Sequence, residues 1–260
     1  MIELVNENNK YDFLQLCGGA NVCACRICCL YQSYGKYSGI ADFWVQYGAK
    51  ENPTAVISKY SGNITVFNTA HADIEELREF VAAIGYASVE SESRLFDSGI
   101  SNVIMKLEDR SLLPADKNVS VSYNTVQPDY RKIYNLLESC READFEVPLY
   151  EDFLLEMSHR IRHETAMFCN AEKNGEMISF AMTAALSEKA ALIGSVCTKK
   201  SCRRNGIGSE CIASLISVLG SRDIYIIRKE CRNESFYRRL GFVNSGVIYL
   251  CAQYRNDTHE

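Results

Sequence analysis

Along this chain, segments with an apolar residue at every third or fourth position alternate with short runs that are alternating or continuously apolar. In the first part, residues 9–17 and 22–32 predict helices, and Ala41–Tyr47 alternates as a strand does. Pro53–Tyr60 and residues 64–67 predict a hairpin turned through Ser61-Gly62-Asn63. Residues 72–84 place Ile74, Leu77, Phe80, Val81 and Ile84 on one helical face, and Gly85 stops that helix. A linker containing Ser91-Glu92-Ser93 and Asp97-Ser98-Gly99 follows, then a strand at 103–107. Pro114-Ala115-Asp116-Lys117-Asn118 reads as a domain boundary, giving domains 1–117 and 118–260.

The second domain opens with an alternating strand at 119–123. Pro128-Asp129 starts a helix carrying Tyr130, Ile133, Tyr134, Leu136 and Leu137, and Tyr150–Arg162 forms another. Strands at 165–172 and 176–186 flank Asn174-Gly175, a strong hairpin signal. Ala190–Thr198 is the next strand. Beyond a polar turn, Ile207, Cys211, Ile212, Leu215, Ile216 and Leu219 mark a helix that Gly220 closes. A strand at 223–228, a helix ending at Arg239 and strands at 242–243 and 246–251 complete the chain. Both parts mix strands and helices, so the expected class is α/β with two domains.

Composition changes this picture little. The 260 residues are 47% hydrophobic, enough for ordinary cores, and a net charge of −5 does not favour nucleic acid as a partner. The first six residues lack the basic and apolar regions of a secretory signal, and no apolar run approaches the roughly 18 residues of a membrane span. A cytoplasmic protein that does not engage a membrane is expected. Reduced thiols are then the simplest reading of the 12 cysteines. Cys17, Cys23, Cys25, Cys28 and Cys29 lack a second Cys/His pair at zinc-like spacing, so they are read as a helix core face rather than a metal site.

The turn before the 207–219 helix carries the chemistry. Arg203-Arg204-Asn205-Gly206-Ile207-Gly208 lies where a loop becomes a helix. A helix start offers unpaired N–H groups and partial positive charge. Glycines let a bulky anion approach the backbone, and two arginines add forked donors. The combination predicts a phosphate or pyrophosphate site. It is not a Walker A loop, for no Gly-Lys-Ser/Thr follows, and it lacks the third glycine of a dinucleotide fingerprint.

Val196-Cys197-Thr198 followed by Arg203-x-x-Gly206-x-Gly208, and the later Phe236-Tyr237-Arg238-Arg239-Leu240-Gly241-Phe242, together resemble the GNAT superfamily of acyl-CoA N-acyltransferases over 119–250. The resemblance implies a mixed sheet flanked by helices and an acetyl group moving from acetyl-CoA to a primary amine, on a small molecule or a protein. It implies that the backbone of Val196, Cys197 and Thr198 pairs with the pantetheine arm. Arg203, Arg204, Asn205, Gly206, Ile207, Gly208 and Ser209 would hold the pyrophosphate, and an N–H near Val196 would stabilise the oxyanion. Tyr237 matches the residue that protonates the leaving thiolate, and Phe236 lies beside it on the cofactor side. Many relatives carry an asparagine where this chain has Glu230, and Asn233 is the candidate substitute. No general base is identified. The order of elements before residue 93 is similar to the start of a GNAT domain, but Asn68-Thr69-Ala70-His71-Ala72-Asp73 lacks the glycine motif. A degenerate GNAT-like half and an unrelated small α/β domain both fit. A non-catalytic acyl-CoA sensor is the alternative to an enzyme.

Overall fold

The computed structural model describes residues 1–36, 39–115, 120–123, 128–142 and 145–253. The elements in chain order are β1 Ile2–Leu4, α1 Lys10–Cys17, α2 Val22–Tyr34, β2 Ala41–Tyr47, β3 Pro53–Tyr60, β4 Asn63–Asn68, α3 Ile74–Ile84, β5 Ser88–Ser91 and β6 Ile100–Leu107. They continue with β7 Ser120–Tyr123, α4 Tyr130–Ser139, α5 Tyr150–Arg162, β8 Phe168–Lys173, β9 Glu176–Leu186, β10 Ala190–Thr198, α6 Ile207–Leu219, β11 Asp223–Arg228, α7 Glu234–Arg239 and β12 Phe242–Ala252. The expected boundary at 117/118 and the start of a strand at 119 lie outside the described residues.

Two compact units result. The first comprises 1–104, 228–232 and the segment from Ser245; the second comprises 105–227 and 233–244. The first unit's sheet has the order β1-β2-β3-β4-β5-β12, antiparallel except for the parallel β4–β5 pair. Both of its faces are covered, which explains why Thr54 to Ser58 of β3 are all buried. Val56 packs with Phe13, Cys17, Ile27 and Phe43 on one side, and Ala55 and Ile57 pack with Leu77, Val81 and Val89 on the other. The cysteines of α2 serve here as small buried hydrophobes, Cys23 and Cys25 being fully buried.

In the second unit β7, β8, β9 and β10 are antiparallel neighbours, and β11 joins β10 in parallel. The core gathers Ile133, Leu136 and Leu137 of α4 and Phe153 and Met157 of α5 around Phe168 and Phe180. Asp129 starts α4 by accepting the Lys132 N–H at 2.9 Å. Each large side chain buried here contributes about 1.5–3 kcal/mol.

Three sequence expectations change. β5 lies just before the stretch read as linker and takes in its Ser91; its only apolar residue is Val89, and its alternation is masked because Ser91 is also buried. The strand expected at 103–107 begins at Ile100, because exposed Ile100 and Ser101 carry no alternation. The two terminal strands are one, β12; residues 243–247 are exposed, so Asn244-Ser245 interrupts the apolar pattern without interrupting the backbone.

Gly241 explains a glycine of the late motif. Its φ is 90°, and a Cβ there would lie 2.0 Å from the Asp109 carbonyl oxygen. Its own carbonyl accepts the N–H groups of Glu108 and Asp109 at 3.0 and 3.2 Å. Gly241→Ala combines left-handed strain with a backbone overlap and is expected to cost about 3 kcal/mol, read as a lower urea midpoint.

Candidate functional site

The site begins where β10 leaves its neighbour. The parallel register between β10 and β11 runs from Ala190↔Asp223 to Ile193↔Ile226. Beyond Ile193, β10 continues to Thr198 against β9 alone, among the described residues. The β9 register shifts between Gly194 and Cys197, and Ser195 sits at the shift with φ 48°. A bulge of this kind takes backbone groups out of the ladder and re-aims side chains. The strand end is fixed from below: the Ser179 hydroxyl donates to the Cys197 carbonyl at 3.0 Å and lies 2.9 Å from Thr198 Oγ1. Among the described residues, Gly194–Thr198 therefore has no strand partner on the side that β11 has left.

That strand end leads directly to the start of α6. After a short 3-10 turn at Lys200–Cys202 the chain extends at Arg203 and turns left-handed at Arg204 (φ 65°) and at the N-cap Gly206 (φ 79°). Gly206 offers no side-chain cap to the first-turn amides of Ile207, Gly208 and Ser209. A Cβ on Gly208 would lie 2.9 Å from Thr198 Oγ1, so the glycine is required for the helix start to approach β10. Asn205 is exposed and donates to the Cys202 carbonyl at 3.4 Å. Arg203 is engaged rather than loose: its Nε donates to the Thr198 carbonyl at 3.0 Å and its terminal nitrogen to Glu142 at 3.0 Å. It braces the loop against β10. Lys199 is likewise paired with Glu176, and Glu172 lies 3.8 Å from Lys132.

Cys140, at the end of α4, is a site residue that sequence reading passed over. Its thiol lies 3.5 Å from the Thr198 carbonyl. Pairing with Cys197, helped by Ser139 and the Arg203 guanidinium, pulls the Cys140 thiol down while pushing that of Cys197 up. Only the fold brings it to Arg203 and β10, so no motif marks it.

Asn233, Phe236 and Tyr237 lie around α7. Asn233 is the N-cap, with φ 57°; it is exposed and makes no side-chain cap bond. The Tyr237 ring lies 5.0 Å from Phe236 and 5.8 Å from Phe242, both edge-on. Burial among these rings pushes its phenol up to about 12. Glu230 falls in 228–232, which belongs with the first unit, whereas Asn233 and Tyr237 belong with the second.

A cavity of about 310 Å³ opens beside the β10 bulge. Leu137, Phe145, Phe153, Met157 and Met182 supply its apolar wall, and Ser195 reaches it from the bulge. Arg160, 9% exposed, also lines it and donates to the carbonyls of Thr165, Thr183 and Ala184 at 3.0–3.2 Å. Exposed Glu146, Asp152 and Glu156 complete the lining. Sequence reading could not assemble this cavity, because its residues come from a loop, two helices and two strands.

The first unit offers a contrast at its own strand-to-helix turn. There Asp73 accepts the Glu76 N–H at 3.0 Å, and Glu75 and Glu76 fill the first turn of α3. A carboxylate already occupies that helix start, so an anion is repelled. Among the described residues no helix is long and apolar enough to cross a membrane, and no cluster of three or more metal-ligating side chains occurs.

Residues 130–242 match the model of the Acetyltransferase (GNAT) family. No curated protein matches the chain. Among solved structures, the chain is similar to a tandem GNAT protein from the clavulanic acid biosynthesis pathway, at 12% identity and TM-score 0.61, covering 99% of this chain and 100% of that one. A Drosophila protein superposes with TM-score 0.66 at 10% identity, over 97% and 98% of the two chains. A GCN5-related N-acetyltransferase from Sphaerobacter thermophilus does so with TM-score 0.56 at 14% identity, over 96% and 94%. At these identities the likeness is one of fold.

Proposed function

Because this chain carries the GNAT acyl-CoA N-acyltransferase fold in a two-domain α/β architecture, we propose that its second unit transfers an acetyl group from acetyl-CoA to a primary amine in the cytoplasm. The observation that carries the reading is the end of β10 that β11 has left, running into the uncapped glycine start of α6. An extended pantetheine amide chain matches such a strand end, and a pyrophosphate matches such a helix start. In this reading Val196, Cys197 and Thr198 offer backbone partners to the arm. The amides of Asn205 to Ser209 cradle the diphosphate. Arg204 supplies exposed positive charge, and Arg203 holds the loop in place while contributing its own. An amide freed at the β10 bulge faces the oxygen on which charge develops as the amine attacks the thioester. Tyr237 returns a proton to the departing thiolate, with Phe236 at its side. Asn233, exposed at the start of α7, takes the cofactor contact that Glu230 does not supply.

Calorimetric titration of acetyl-CoA tests the reading. Expected is one site per chain in the wild type, together with thiol release when a primary amine is added. Binding without turnover across an amine panel would instead support a non-catalytic sensor. No binding at all would overturn both readings.

A further inference from the structure

The cavity beside the β10 bulge has a distribution of charge that specifies its occupant. Its buried end holds Arg160, whose guanidinium is fixed by three backbone carbonyls and cannot swing away. Its exposed rim holds Asp152 and Glu156, one turn apart on α5, and Glu146 on the facing loop. Between them the wall is apolar, with Phe145, Phe153 and Met157. A fixed cation at the buried end disfavours an ammonium there and favours a neutral amine, the form that can attack a thioester. The carboxylates at the rim favour a cation. A monoamine satisfies only one of these ends.

We propose that the acceptor is a diamine: one amine reacts, in neutral form, near Ser195, and a second, charged amine is held at the rim by Asp152, Glu156 and Glu146 across an apolar spacer. This inference rests on the acetyltransferase reading for its chemistry, though the preference of the rim for one ammonium on an apolar spacer does not.

The test compares 1,6-diaminohexane with hexylamine, which share a spacer and differ in the second charge. Thiol release from acetyl-CoA is measured for the wild-type chain and for Asp152→Asn/Glu156→Gln, a pair of exposed substitutions that leaves the apolar wall in place. The expected result is a preference in kcat/KM of about tenfold for the diamine, the scale of two partly solvated ion pairs. That preference should collapse toward unity in the variant and shrink in high salt. Equal rates for the two amines, or a preference that survives in the variant, would overturn the proposal while leaving acetyl transfer standing. If neither amine turns over, calorimetric binding of 1,6-diaminohexane by the wild type, lost in the variant, supports the diamine site and counts against transferase activity. Absence of that binding overturns the diamine site as well.

Discussion

Gly206→Asp is expected to weaken acetyl-CoA binding by at least about 100-fold while leaving the urea midpoint of the protein almost unchanged. At φ 79° the position is left-handed, which costs a non-glycine residue about 1 kcal/mol, and Asp tolerates this region better than most residues. A Cβ there meets nothing closer than Glu210 Oε1 at 3.8 Å, so there is room for it. The new carboxylate then stands at the first-turn amides of α6. Those amides are the groups a diphosphate needs. Losing two charge-assisted hydrogen bonds, each worth about 1.5–3 kcal/mol, accounts for the affinity loss before repulsion is counted. The substitution would put a carboxylate at the start of α6, as Asp73, Glu75 and Glu76 already do at the start of α3. Calorimetry paired with urea unfolding checks it. Unchanged affinity would mean that acetyl-CoA does not bind at this helix.

Tyr237→Phe carries the second large effect. Removing a positioned general acid is expected to lower kcat by about 100-fold or more, with the acetyl-CoA affinity within about twofold of wild type. The pH profile sharpens the test. With its phenol pushed up to about 12 by burial, Tyr237 keeps its proton throughout the range in which an amine acceptor becomes neutral. The wild-type rate should therefore rise as the acceptor deprotonates and hold a plateau past pH 10, where an ordinary tyrosine would already be lost. Stability runs the other way. The folded phenol titrates above its unfolded value, so the folded state binds more protons between the two, and stability falls as pH climbs from about 10 towards 12. An alkaline rate limb centred near pH 10 would contradict this account of the residue.

Much of the second unit was legible in sequence because its elements carry strong periods. Tyr150–Arg162, Glu176–Leu186 and Ala190–Thr198 all have the bounds that their patterns predict. The glycine loop was legible too, since Gly206 and Gly208 stand where the backbone needs a left-handed turn and a close approach to Thr198. What remained hidden depends on partners distant in the chain. Arg203 reads as a free anion ligand, yet it is held by Glu142, 61 positions away. Cys140 meets Thr198, 58 positions away, only in the folded chain. The acidic rim of the cavity joins Glu146 to Asp152 and Glu156, and none of the three forms a motif. The bounds of β5 could not be set because a four-residue strand with one apolar side chain has no measurable period.

The strand order of the first unit has a consequence for biosynthesis. Its β5 pairs with β12 through Tyr249↔Ser91 to Ala252↔Ser88. Translation delivers β5 long before β12, so on the ribosome the edge of β5 waits without its native partner while the whole second unit is made. Exposed strand edges recruit foreign strands. Two features blunt this one: β5 is only four residues long, and Glu90 carries a charge paired with Arg26 at 3.3 Å. The sheet of the first unit is therefore completed only after the second unit has been synthesised, and a ribosome stalled before Ser245 leaves the β5 edge without its β12 partner.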